Sequence, residues 1–126
     1  MRLVHEPVTD ADDDVFEQRT ESLATNVDLA DSLVSQTRGL MFRRSIPDDY
    51  ALVFRFGPAK VRDLHMLFVF FPIDAVWVVD DIVRRVERLR PWRSFARARA
   101  DLIVELPAGA AAEVEPGDRL TLEDDP

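Results

Sequence analysis

Short apolar runs bounded by Gly, Pro and Asp recur along this chain, the pattern of β-strands separated by turns. Ala51 to Phe56 reads as a strand stopped by Gly57-Pro58, with a polar loop over 59–63. Leu64 to Phe71 is apolar on both parities, which predicts a strand covered on both sides, and Pro72 marks its bend. Ile73 to Val79 and Ile82 to Leu89 flank the dipeptide Asp80-Asp81, the arrangement of a hairpin with a two-residue turn. Further strands are expected over 1–7, within 15–30, over Leu102 to Leu106 and over Arg119 to Leu122. Pro91 breaks the pattern, so 92–100 reads as irregular or a frayed edge, and 107–112 as a turn or short helix.

Helical periodicity is confined to one place. Asp31 can cap a helix in which Leu33, Thr37, Leu40 and Met41 share a face, so one short helix is expected around residues 31–40. Many strands, frequent turns and one helix define a mainly β chain, an antiparallel β-sandwich or a barrel-like domain. At 126 residues the chain fits a single domain over 1–126. Residues 8–14 are expected to form a flexible acidic loop and 123–126 a frayed tail.

Charge adds a constraint on environment. Sixteen Asp, eight Glu and fifteen Arg stand against the single Lys60, for a net charge of −8. Carboxylates hold water and cations well, whereas a lysine stem exposes apolar methylenes. The composition therefore points to a high-salt interior, as in salt-accumulating archaea. Its negative sign disfavours nonspecific attraction to nucleic acid or to anionic membrane. Cysteine is absent, which excludes disulfides and thiolate chemistry. No signal peptide opens the chain and no apolar run is long enough to span a bilayer, so a cytoplasmic location is expected.

Three ordered segments carry a resemblance. They are Arg38-Gly39-Leu40-Met41-Phe42-Arg43; Met66 followed by Pro72-Ile73-Asp74; and Glu105-Leu106-Pro107-Ala108-Gly109 followed by Gly117-Asp118. Over about residues 27–120 the chain resembles the family called domain of unknown function 192, as a haloarchaeal-type member. The resemblance implies a small sandwich-like β domain and no assigned activity. Members of that family usually carry Trp-Met and a polar Lys-Asn-Thr where this chain has His65 to Val69, and Asp-Gly where it has Asp80-Asp81.

Four residues are candidates for a binding site: Arg43, His65, Asp74 and Glu105. Asp74 shares a strand face with Val76 and Val78, and a carboxylate there needs a partner or an altered pKa. The guanidinium fork of Arg43 suits either Asp74 or Glu105. The two histidines, His5 and His65, have no metal-ligand spacing, and Asp10, Asp12, Asp14 and Glu21 match a calcium-loop spacing only with Val15 in place of the required glycine. Neither metal nor cofactor is expected. Seven arginines between 84 and 99, with Trp92 and Phe95 among them, suit single-stranded nucleic acid. Internal pairing explains them as well, so nucleic acid is not the expected partner.

The leading reading is a noncatalytic domain binding an unidentified small ligand or protein. A small enzyme using Asp74 or Glu105 as acid or base, with Arg43 anchoring an anion, is the alternative. An Arg-rich nucleic-acid-binding module is the third.

Overall fold

A computed structural model describes residues 1–8, 21–30, 39–66 and 68–123. Eight strands form one mixed sheet: β1 (Arg2–Glu6), β2 (Glu21–Ala24), β3 (Asn26–Leu29), β4 (Tyr50–His65), β5 (Ile73–Val79), β6 (Ile82–Leu89), β7 (Phe95–Pro107) and β8 (Arg119–Glu123). Their order is β2-β1-β8-β6-β5-β7-β4-β3, and only β3–β4 is parallel. The outermost strands β2 and β3 are separated in sequence by Thr25 alone. One residue reaches only about 7 Å between its neighbours' Cα atoms. The sheet must therefore curl until its two edges meet at Thr25, where Thr25 and Asn26 both donate to the Asp49 carbonyl. The eight described strands thus belong to one open, mainly antiparallel sheet.

The curl creates an inside and an outside. Leu3, Ala24, Val53, Val76, Val78, Val104 and Leu120 fill the interior, with Ala111 and Val114 from the 108–118 loop. The opposite parity packs outside: Tyr50, Leu52 and Phe54 of β4, Ala75 and Trp77 of β5, and Ile103 of β7 meet Leu40, Met66 and Val69 from loops. The strands of the central sheet are thus buried on both faces, which explains why β5 is buried at all seven positions.

Two predicted boundaries are corrected. Gly57-Pro58 does not stop β4, because the ladder to β7 absorbs it. Arg55 pairs with Leu102 and Lys60 with Ala100, so four residues of β4 oppose Asp101 alone. A bulge tolerates Pro58, whose nitrogen has no proton to give a ladder. Beyond the bulge, 60–65 and 95–100 continue as a paired ribbon. The supposed frayed edge 92–100 is therefore mostly strand, and its inner residues Ala96 and Ala100 pack in the outer core.

The double-sided strand expected over Leu64 to Phe71 is also absent: β4 ends at His65, and Phe68 and Phe70 are exposed. There the run is a loop that sends Met66 and Val69 into the outer core and leaves Phe68 and Phe70 at the surface. Among the described residues there is no helix, and none long and apolar enough to cross a membrane. Most of the helix expected around 31–40 lies outside the described residues; Gly39 and Leu40 form a turn. The acidic loop, apart from Val8, and the tail beyond Glu123 also lie outside them.

The Asp80-Asp81 hairpin is as expected. Both aspartates take positive φ, 49° and 67°, the twist a two-residue turn requires even without its usual glycine.

Candidate functional site

The structure separates the four candidates. Asp74 lies on the interior parity of β5 and is almost fully buried. Its Oδ1 accepts from Arg88 Nε at 2.6 Å, while Oδ2 accepts the backbone N–H groups of Gly109 and Ala111 at 2.9 and 3.0 Å. The carboxylate thus pins the turn that carries Gly109 and Ala111. Its ion pair is to Arg88, the residue opposite it on β6. A one-residue bulge makes that pairing. Val79 opposes Ile82 and Val78 opposes Val83, but Trp77 opposes Arg85, so Arg84 is skipped and Asp74 meets Arg88. Without the bulge, Glu87 would stand opposite Asp74, a like-charge pair.

Glu105 lies on the other parity, opposite Ala75, beneath the turn at Gly39. A Cβ at position 39 would come within 4.0 Å of both Glu105 carboxylate oxygens, and φ there is +51°. This position thus needs a backbone that glycine adopts freely. Burial pushes the Glu105 carboxyl up to about 7, against the pull of the Arg43 guanidinium. Arg43 itself is engaged: it donates to the Tyr50 hydroxyl at 2.8 Å and lies over the Tyr50 ring, and the hydroxyl donates to Asp28 Oδ2 at 2.9 Å. Burial and that acceptor push the Tyr50 phenol up to about 12. Among the described residues the Arg43 side chain thus bonds to Tyr50, and through it reaches Asp28, while Glu105 feels only its field.

His65 belongs to neither place. It is exposed at the end of β4, opposite Phe95.

The histidine that is buried is His5. Its Nε2 lies 2.7 Å from Asp118 Oδ2, and Asp118 also accepts from Val8 N and Glu115 N. Burial alone would raise the Asp118 carboxyl, but these bonds together hold it below its ordinary value. The dyad ties β1 to the turn before β8. A histidine between Val4 and Glu6 gives no sequence signal of such a partner 113 residues away.

The sequence also missed an aromatic surface. Phe42, Phe68, Phe70 and Trp92 are 56%, 40%, 45% and 46% exposed, yet their rings touch each other. Phe42 stacks on Phe68 at 5.0 Å, and Trp92 meets Phe68 at 5.2 Å and Phe70 at 5.5 Å. Phe42, Phe68 and Trp92 all hold positive φ (67°, 59° and 67°), rare for bulky residues and costing about 1–3 kcal/mol each. Backbone bonds fix this geometry, from Phe42 N to Phe68 O and from Trp92 N to Met66 O. The positive-φ arrangement at 42 and 92 had no sequence signal. The run at 68–70 was misread because its alternation also fits a buried strand.

The arginines of 84–99 divide. Arg85, Arg88 and Arg97 pair with Glu87, Asp74 and Asp63. Among the described residues, exposed Arg84, Arg90, Arg93 and Arg99 have no ion pair. Two of these, Arg90 and Arg93, flank Trp92, and exposed Arg44 follows Phe42 by two residues.

The profile of the DUF192 family, described as "Uncharacterized ACR", matches residues 15–122. A UPF0127 protein of Pyrococcus horikoshii is 34% identical over 113 residues, covering 84% of this chain and 95% of its own. One from Thermococcus kodakarensis is 36% identical over 104 residues, and the match spans 75% of this chain and 63% of that relative's length. Among solved structures, a proposed transcription regulator from Sinorhizobium meliloti 1021 superposes with a TM-score of 0.76 at 25% identity, covering 95% of this chain and 92% of its own. A protein of unknown function from Novosphingobium aromaticivorans shares the fold with a TM-score of 0.75 at 20% identity, over 96% of this chain and 84% of its own.

Proposed function

This chain belongs to the DUF192 family, an uncharacterized one, and from that premise we propose that it is a noncatalytic binding domain for a small ligand or partner. The supporting observation is the aromatic surface. Three bulky residues accept unfavourable backbone geometry to keep their rings together and half in water. Core packing does not need this, and strain and exposed apolar patches concentrate at binding sites.

The charged candidates support the same reading. Asp74 spends both oxygens on Arg88 and two backbone N–H groups. A general acid or base must reach a substrate proton, and this one is committed to holding a turn. Glu105 lies beneath the turn at Gly39, and Arg43, next to Phe42 in sequence, is held by Tyr50. His65 stands on the ribbon end that leads into Met66 and the platform loop.

The enzyme alternative retains one observation in its favour. A carboxyl pushed to about 7, close to an arginine, is suited to proton transfer near neutrality. It would use Glu105 alone, with Arg43 as the anion anchor.

The proposed setting is a high-salt cytoplasm, supported by the excess of Asp and Glu and the single Lys. Thermal melts in rising KCl test it: a melting temperature that climbs into molar KCl fits, and one that falls refutes it.

For the binding reading, native mass spectrometry of protein purified from its own host under salt is the test. Wild type is expected to retain a mass that the F68G/W92G variant lacks. Identical spectra for the two would defeat the reading.

A further inference from the structure

We propose that the aromatic surface is a stacking platform for single-stranded nucleic acid, with Arg44, Arg90 and Arg93 as its phosphate contacts; this rests on the binding reading above and names its partner. Three features narrow the choice of occupant. The first is the kind of apolar group on show. Among the described residues, the large hydrophobics exposed at 42, 68, 70 and 92 are all aromatic, whereas the exposed aliphatic ones, Val8, Val61 and Ile82, belong to other segments. A greasy protein interface draws on aliphatic side chains as well; a platform for planar bases needs rings.

The second is local charge. The chain carries −8 overall, and Arg2, Arg85, Arg88, Arg97 and Arg119 each have a carboxylate partner. The arginines beside the rings have none among the described residues. Exposed arginines within two residues of Phe42 and Trp92 in sequence, on an acidic protein, favour an anionic partner. They also disfavour a second copy of this chain across a two-fold axis, because the same three arginines would face each other.

The third is shape. Phe42, Phe68, Trp92 and Phe70 are linked ring to ring at 5.0, 5.2 and 5.5 Å. Four half-exposed rings in contact offer partners to more than one base of a strand. The positive φ values hold the rings in place before any ligand arrives, which lowers the ordering cost of binding. Because stacking is not screened, part of the affinity persists in salt that removes the phosphate contribution.

The test uses the full chain and fluorescein-labelled mixed-sequence single strands of about 15 nucleotides, RNA and DNA, read by fluorescence anisotropy. Heparin, a mononucleotide and an acidic peptide rich in phenylalanine are competitors. Wild type is expected to bind a single strand with quenching of exposed Trp92. With three phosphate contacts, the log–log salt slope should be about −2. W92G and F68G relieve backbone strain while removing a ring, so they should fold and yet lose about tenfold in affinity each. R90Q/R93Q should flatten the salt slope to about −0.7.

No anisotropy change, undiminished binding by folded W92G and F68G, or full displacement by heparin at equal charge would overturn the proposal. So would preference for the mononucleotide or the acidic peptide. If single strands fail while a native mass is still lost in F68G/W92G, the partner is wrong and the binding reading stands. If both fail, both fall.

Discussion

Glu105 should make this protein less stable as the pH rises from about 4.5 to about 7, and E105Q should abolish that trend. The carboxyl moves from an ordinary 4.5 in the unfolded chain to about 7 when folded, because burial opposes its charge more than Arg43 favours it. Between those values the folded state binds more protons than the unfolded state. Its stability therefore falls with increasing pH across that window and is level above it. A displacement of about 2.5 on the pH scale corresponds to roughly 3 kcal/mol at about 1.4 kcal/mol per unit, an upper figure if the site relaxes on ionisation. At pH 5, where the folded carboxyl is protonated but the unfolded one is mostly ionised, E105Q should exceed wild type by only about 1 kcal/mol. At pH 8, E105Q should be the more stable by about 2–3 kcal/mol. Urea unfolding at fixed KCl, repeated from pH 4.5 to 8.5, measures this directly. R43M removes the favourable field and should extend the wild-type decline above pH 7. Parallel pH profiles for wild type and E105Q would refute the reasoning, and a profile rising through this window would reverse its sign.

Other changes separate the roles of the remaining groups. D74A should cost about 3 kcal/mol, since it leaves the N–H groups of Gly109 and Ala111 without their acceptor, whereas R88M should cost at most about 1 kcal/mol because Arg88 is exposed; equal losses in urea unfolding would contradict this. Trp92 at φ 67° predicts that W92G is more stable than W92A by about 1 kcal/mol, as glycine adopts that backbone freely; a more stable alanine variant would show that the backbone relaxes. D118A should destabilise more than H5F in the same assay, because Asp118 also accepts from Val8 and Glu115. Since Asp118 is held below its ordinary value, the stability it supplies is present above that value and lost as pH falls through its folded value. D118N should therefore flatten the acid limb of the melting curve, and an unchanged limb would tell against the dyad.

Much of the fold and part of the site are legible in the residues. Apolar runs between turn residues located β5, β6 and β8, and Asp80-Asp81 located the hairpin between β5 and β6. Alternation also placed Asp74 on the parity of Val76 and Val78, hence in the core, where a carboxylate must be satisfied. The three ordered segments led to the family. Composition fixed the charge and removed thiol chemistry. These are local properties: strand parity, turn chemistry and residue type depend on near neighbours.

The partners of each charge were decided by the tertiary structure. Straight hairpin counting puts Glu87 opposite Asp74, and only the bulge at Arg84 brings Arg88 there. Whether Gly57-Pro58 ends a strand or sits in a bulge depends on β7, some forty residues later. His5 finds Asp118 only because β1 lies beside β8. The apolar run after His65 fits a buried strand equally well, and it is the turns at Phe42 and Trp92 that draw Phe68 and Phe70 to the surface. One sequence pattern serves a core or a platform, because burial is settled by what other segments cover, and that is known only once the sheet has curled.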